Sequence, residues 1–178
     1  MRRPALLPLA LLLAGCASSL TSSPGPRQVS TVIIEDPSGP KGSLAVSGAP
    51  RFLGGGVAVP VAQARAALPE VYRALGLSGG GPTAEGGYAA PRMQATRALA
   101  GVRLSRYLDC GSTVSAANAD HYAVTLHVAT RLSETTPGAS LAETIVQATA
   151  KPIGTSGETV ACTSTGEMER EIVRRLGS

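Results

Sequence analysis

The clearest periodic signal in the chain is the alternation over His121–Leu132, HYAVTLHVATRL. Tyr122, Val124, Leu126, Val128 and Leu132 fall on one face, and His121, Thr125, His127 and Arg131 on the other. A period of two belongs to a half-buried strand. After a turn at Thr135–Gly138 the alternation resumes from Leu141 to Lys151, with Thr144, Val146, Ala148 and Ala150 on one face. Side chains that small would let a helix lie close. Tyr88–Arg97 and Arg103–Asp109 read as further strands, and Val29–Glu35 as a short β-branched one, isolated or at an edge.

Spacings of three and four take over elsewhere. Val61, Ala64, Leu68, Val71, Tyr72 and Leu75 make one apolar stripe and predict a helix within Val57–Gly76. Pro60 suits its first turn. Gly76 suits its C-terminal cap. Pro69, inside the pattern, predicts a kink or a restart. A last helix is predicted from Gly166 to Leu176, with Met168, Ile172 and Leu176 as its stripe. Ser164 and Glu167 fit a capping box. Glu167, Glu169 and Glu171 come early and Arg174 and Arg175 late, as the helix dipole favours. Ser78–Gly87 reads as a glycine-rich loop or a poorly formed hairpin. The order helix, strands, helix predicts an α+β domain over 51–178: an antiparallel sheet of about four to five strands with two helices packed on one face.

The N-terminus carries a different pattern. Arg2 and Arg3 precede an apolar stretch, Ala5 to Leu13, of the length of a signal-peptide core. It ends in Leu13-Ala14-Gly15-Cys16, which matches the lipobox of bacterial lipoproteins. The Cys16 sulfur would take a diacylglyceryl group, and the small residues would let a peptidase reach the bond before it. Two or more acyl chains anchor stably, whereas one does not. The competing reading is an ordinary cleaved signal with an incidental cysteine. Ala17, by resemblance to Gram-negative lipoproteins, directs the product to the outer membrane, and the apolar run is too short to span a bilayer. Residues 16–50 are then the lipidated cysteine and a flexible tether rich in Ser, Pro and Gly.

Composition changes this picture in two ways. Removing residues 1–15 takes away Arg2 and Arg3, so the formal charge of +4 falls to +2. No basic stripe with interleaved aromatics remains, and no nucleic-acid partner is expected. The chain also has one phenylalanine and no tryptophan, so the core must be aliphatic and the domain should need help. Setting Cys16 aside leaves Cys110 and Cys162, an even remainder that in an exported chain implies a disulfide. The bond would pin the start of the last helix to the sheet edge. A metal or redox pair is the alternative, but no CxxC spacing supports it.

Candidate chemistry is thin. His121 and His127 lie about 20 Å apart along an extended strand and cannot share a metal. Asn118-Ala-Asp120-His121 reads as a turn before a strand, with a base and its orienter as the other possibility. Gly54–Gly56 and Gly79–Gly81 lack the continuation of a phosphate-binding loop. Gly154-Thr-Ser-Gly157 is not a nucleophile elbow. No enzyme, metal or cofactor is expected. Arg103, Arg106 and Tyr107 make the densest polar–aromatic segment, readable as a recognition edge or as an amphipathic strand carrying the disulfide.

Leu75-Gly76, Ser105-Arg-Tyr-Leu-Asp-Cys-Gly111 and Val160-Ala-Cys-Thr-Ser-Thr-Gly-Glu167 together resemble a family of uncharacterised lipoproteins of high-GC Gram-negative bacteria. Val71-Tyr-Arg-Ala-Leu-Gly-Leu77 before a sheet is more distantly similar to the helix-grip domains of BamC, the lipoprotein accessory of the outer-membrane β-barrel assembly machine. One such domain stands here where BamC has two. The expectation is a lipid-anchored envelope lipoprotein whose non-catalytic domain binds or supports another envelope component. The alternative is a binder of a small apolar ligand or lipid between sheet and helices.

Overall fold

The computed structural model describes residues 30–33, 43–46, 51–154 and 156–178. In chain order they form β1 (Ser30–Ile33), β2 (Ser43–Val46), β3 (Leu53–Val57), α1 (Val61–Ala74), β4 (Gly81–Pro82), β5 (Tyr88–Thr96), β6 (Ala98–Leu99), β7 (Val102–Arg103), α2 (Leu104–Tyr107), β8 (Leu108–Asp109), β9 (Ala123–Thr136), β10 (Ala139–Lys151), β11 (Val160–Ser164) and α3 (Glu167–Leu176). The fold is α+β. Among the described residues the main sheet has seven antiparallel strands, not the four to five expected.

The hairpin β9–β10 is its spine, with Val128 opposite Val146 and Thr130 opposite Thr144. β5 lies on the outer side of β9, with a bulge between Ala90 and Met93. Pro91 falls inside that bulge, where a missing N–H is tolerated. On its other side β10 is shared by two strands. Ser140–Thr144 pairs with β3, and Ala148–Ala150 pairs with β11. The extra strands are those the alternation could not announce. β3 is three glycines between Leu53 and Val57, in a stretch that reads as loose chain. β4, two residues of the Ser78–Gly87 segment, makes that segment a hairpin with β5. β1 pairs with β2, which lies within the expected tether.

One face of the sheet makes the core. Val124, Leu126 and Val128 are buried there, with Ala142, Val146 and Ala150 beside them. Leu68, Val71 and Tyr72 of α1 and Met168, Ile172 and Leu176 of α3 complete it. The small residues of β10 do admit close packing, since Ala142, Thr144 and Ala150 are fully buried. α1 does not restart at Pro69 and runs unbroken to Ala74. Its end follows from Gly76 at φ +75°. The Gly76 N–H donates to Arg73 O (3.0 Å) and the Leu77 N–H to Tyr72 O (2.9 Å). That pair of bonds is a Schellman closure, with Leu77 and Tyr72 both buried as its apolar contact.

Two further expectations are corrected, and a third, the disulfide, forms between the expected cysteines but holds the last helix less directly. Arg103–Asp109 is not a strand but the one-turn helix α2 between two-residue strands. Leu104 and Tyr107 are its buried positions, and Leu108 of β8, four residues after Leu104, is buried beside them. The Asp120 carboxylate accepts both the N–H (2.9 Å) and the O–H (2.8 Å) of Ser105, which holds the first turn. The capping box is also replaced. Gly166, at φ +83°, precedes α3, and Ser164 Oγ accepts the Gly166 N–H (3.1 Å) and donates to Glu169 rather than Glu167 (2.6 Å). The disulfide joins Cys110 to Cys162, with Cα atoms 4.1 Å apart. It clamps the segment after β8 to β11, next to the pairing of Asp109 with Thr163, and holds α3 through β11 instead of directly.

Candidate functional site

A concave surface follows from the way β10 shares its edge. β11 leaves β10 after Cys162 to pair with β8, the chain turns at Gly166, and α3 then runs beside β3. Leu53 lies near Gly166 at one end, and Val57 near Gly177 at the other. Between helix and strand lies a groove of about 370 Å³, lined by Leu53, Gly54, Gly55, Glu169, Val173 and Arg174, with Gly166 and Arg170 at its head.

Glycine is required at one of these positions, Gly54, and favoured at Gly55. A Cβ at Gly54 would sit 2.1 Å from Ala142 O, and one at Gly55 would sit 3.2 Å from Val173 Cγ1. At Gly54 β3 therefore presses onto β10 as no other residue type would allow, and at Gly55 it lies close against Val173 of α3. Leu53 is 40% exposed and its neighbour Phe52 42%, with the Phe52 ring 4.1 Å beneath the Arg131 guanidinium. Arg131 is also paired with Glu143 across β9 and β10 (2.8 Å).

The buried polar group of the groove is Glu169, only 1% exposed. Its Oε1 accepts from Ser164, and among the described residues its Oε2 has no partner. A buried carboxylate oxygen without a donor is costly. The cations nearby are committed elsewhere. Arg170 pairs with Glu167 (2.9 Å), and Arg174 with Glu171.

The residues singled out from sequence are distributed differently. Leu13, Ala14, Gly15 and Cys16 lie outside the described residues. Arg103 and Arg106 are exposed, but Tyr107 is buried, and burial raises its phenol pKa, as does the charge of Glu171. Thr165 ties this segment to the start of α3: its Oγ1 donates to Arg106 O (2.6 Å) and its N–H to Tyr107 O (3.0 Å). The three are thus not one open edge. Asn118–Asp120 is a 3₁₀ turn, so its bland reading holds. Among the described residues no His, Cys, Asp or Glu cluster could hold a metal ion. No helix among them is long and apolar enough to cross a membrane.

Sequence reasoning missed Leu53, Gly54 and Gly55, and took Glu169 only as a complement to the helix dipole. The one available signal was Glu169 falling next to Met168 and one turn before Val173, at the border of the apolar stripe. Comparison with protein-family models, with curated proteins and with solved structures finds no match to this chain.

Proposed function

We propose that this protein is a lipid-anchored envelope lipoprotein whose domain binds another envelope component in the groove between β3 and α3, without catalysis. The single observation that carries the binding role is the groove itself, with exposed Leu53 at its mouth and the unpartnered Glu169 oxygen in its wall. The Cys110–Cys162 disulfide supports an oxidising compartment, as export requires. The lipobox ending at Cys16 supports the anchor. Arg106 adjoins the lead-in to α3 through the bond from Thr165 Oγ1 to its carbonyl, and with the exposed Arg103 would extend the contact surface.

A small apolar ligand or lipid is the second reading. Leu53 and Val173 favour it, and about 370 Å³ falls within the usual range of ligand pockets. The site is then this groove and not the Thr144, Val146, Ala148, Ala150 face, which packs against the core.

A photo-crosslinking residue in place of Arg170, in intact cells, tests the proposal. The expected result is one defined envelope protein, identified by mass spectrometry, whose capture is lost with Leu53→Asp. Cys16→Ser should abolish fatty-acid labelling and release the protein from membranes. An absent adduct, or one indifferent to Leu53→Asp, would count against the groove. Retained labelling would count against the anchor. Native mass spectrometry showing a bound lipid would move the conclusion to the second reading.

A further inference from the structure

We infer that the partner enters the groove as an extended peptide segment, adding a strand to the free edge of β3 and directing a basic side chain to Glu169. The inference rests on the groove being the docking site and names the mode of binding there.

The edge comes first. β3 pairs with β10 on one side, and among the described residues no strand pairs with it on the other. Natural proteins guard such edges with charged side chains, prolines or bulges, because a row of unpaired N–H and C=O groups templates pairing with another chain. Gly54, Gly55 and Gly56 carry none of these guards, and a Cβ at Gly56 would have nothing within 4 Å. An incoming backbone therefore meets no side chain on this stretch. Strand addition beside a helix gives affinity through main-chain hydrogen bonds and specificity through pockets for alternate side chains.

Charge then selects the occupant. Glu169 is buried and half satisfied, while Arg170 and Arg174 are neutralised by Glu167 and Glu171. A lysine or arginine on the incoming segment supplies the missing donor. An apolar neighbour two residues along would pack on Leu53 and Val173, since alternate side chains of a strand share a face.

The test uses the full-length protein in detergent, isotopically labelled, and a seven-residue peptide of alternating valine and threonine with a central lysine. Control peptides carry glutamate in place of the lysine, or N-methyl groups along one backbone edge. The lysine peptide should shift the amide resonances of Gly54–Gly56 and slow their hydrogen exchange. The glutamate peptide should bind at least about tenfold more weakly, and Glu169→Gln should remove most of that preference. Because the peptide controls use the unaltered protein, the result survives if Glu169→Gln fails to fold. Absence of shifts at Gly54–Gly56, or binding indifferent to N-methylation, overturns strand addition. Binding indifferent to the lysine overturns the role of Glu169. A crosslinked partner in cells together with either of these failures would leave the docking site standing and refute only its mode.

Discussion

Tyr72, Thr130 and Thr144 place three hydroxyls on the core faces of α1, β9 and β10. All three are almost fully buried. The Tyr72 hydroxyl lies 2.8 Å from Thr130 Oγ1, which lies 2.7 Å from Thr144 Oγ1, and Tyr72 also donates to Tyr88 O at 3.2 Å. Burial raises the Tyr72 pKa and outweighs the hydrogen bond from Thr130, so the phenol stays protonated and can donate. Thr130→Val keeps the shape and removes the middle link. It should cost about 1–3 kcal/mol, because two buried hydroxyls lose a partner. Adding Thr144→Val should recover part of that cost, since one of the orphans goes with it. Urea denaturation of the single and double variants checks this, and strictly additive losses would dissolve the network. Thr144 was placed on the correct face by its alternation. Thr130 was legible only as a position between Val128 and Leu132, since nothing local tells a strand threonine whether its hydroxyl will find a partner.

At the scale of elements, α3 was the most legible. Its stripe of Met168, Ile172 and Leu176 is fully buried or nearly so, and its acidic start and basic end stand as read. Glu171 accepts from Arg174 (2.8 Å) and Arg175 (2.7 Å), and these hydrogen bonds draw its carboxyl pKa from 4.5 down to about 2. A depressed carboxyl contributes stability that is complete above its unfolded value and is lost as pH falls through the folded one. The midpoint of thermal unfolding should therefore drop between pH 4.5 and about 2. Glu171→Gln should flatten part of that slope, and so should high salt, because Arg174 is largely exposed. An unchanged slope would remove Glu171 from the account. α2 was the least legible element. Leu104, Tyr107 and Leu108 suit a helical turn, yet the segment is too short for a period to declare itself, and Asp120 settles it from fifteen residues away.

For the whole molecule, the aliphatic core and the disulfide belong together. The single phenylalanine, Phe52, is exposed, so Tyr72 is the largest side chain fully inside. The Cys110–Cys162 bond closes a separation of 52 residues. On the chain-entropy account that is worth about 4 kcal/mol, against about 5–15 kcal/mol for a typical domain. The Cys110→Ala, Cys162→Ala double variant should lose about 2–5 kcal/mol in denaturant titration. An unchanged midpoint would refute the dependence. The sequence alone determined the faces of β9 and β10, the stripes of α1 and α3, and the pairing of the two cysteines left after Cys16. These are properties of period and parity, which are written locally. Only the tertiary structure decided that β10 shares its edge between β3 and β11, that three glycines form a strand there, and that Glu169 faces a groove. Strand pairing joins residues far apart along the chain, and a glycine has no side chain to report the face it turns inward.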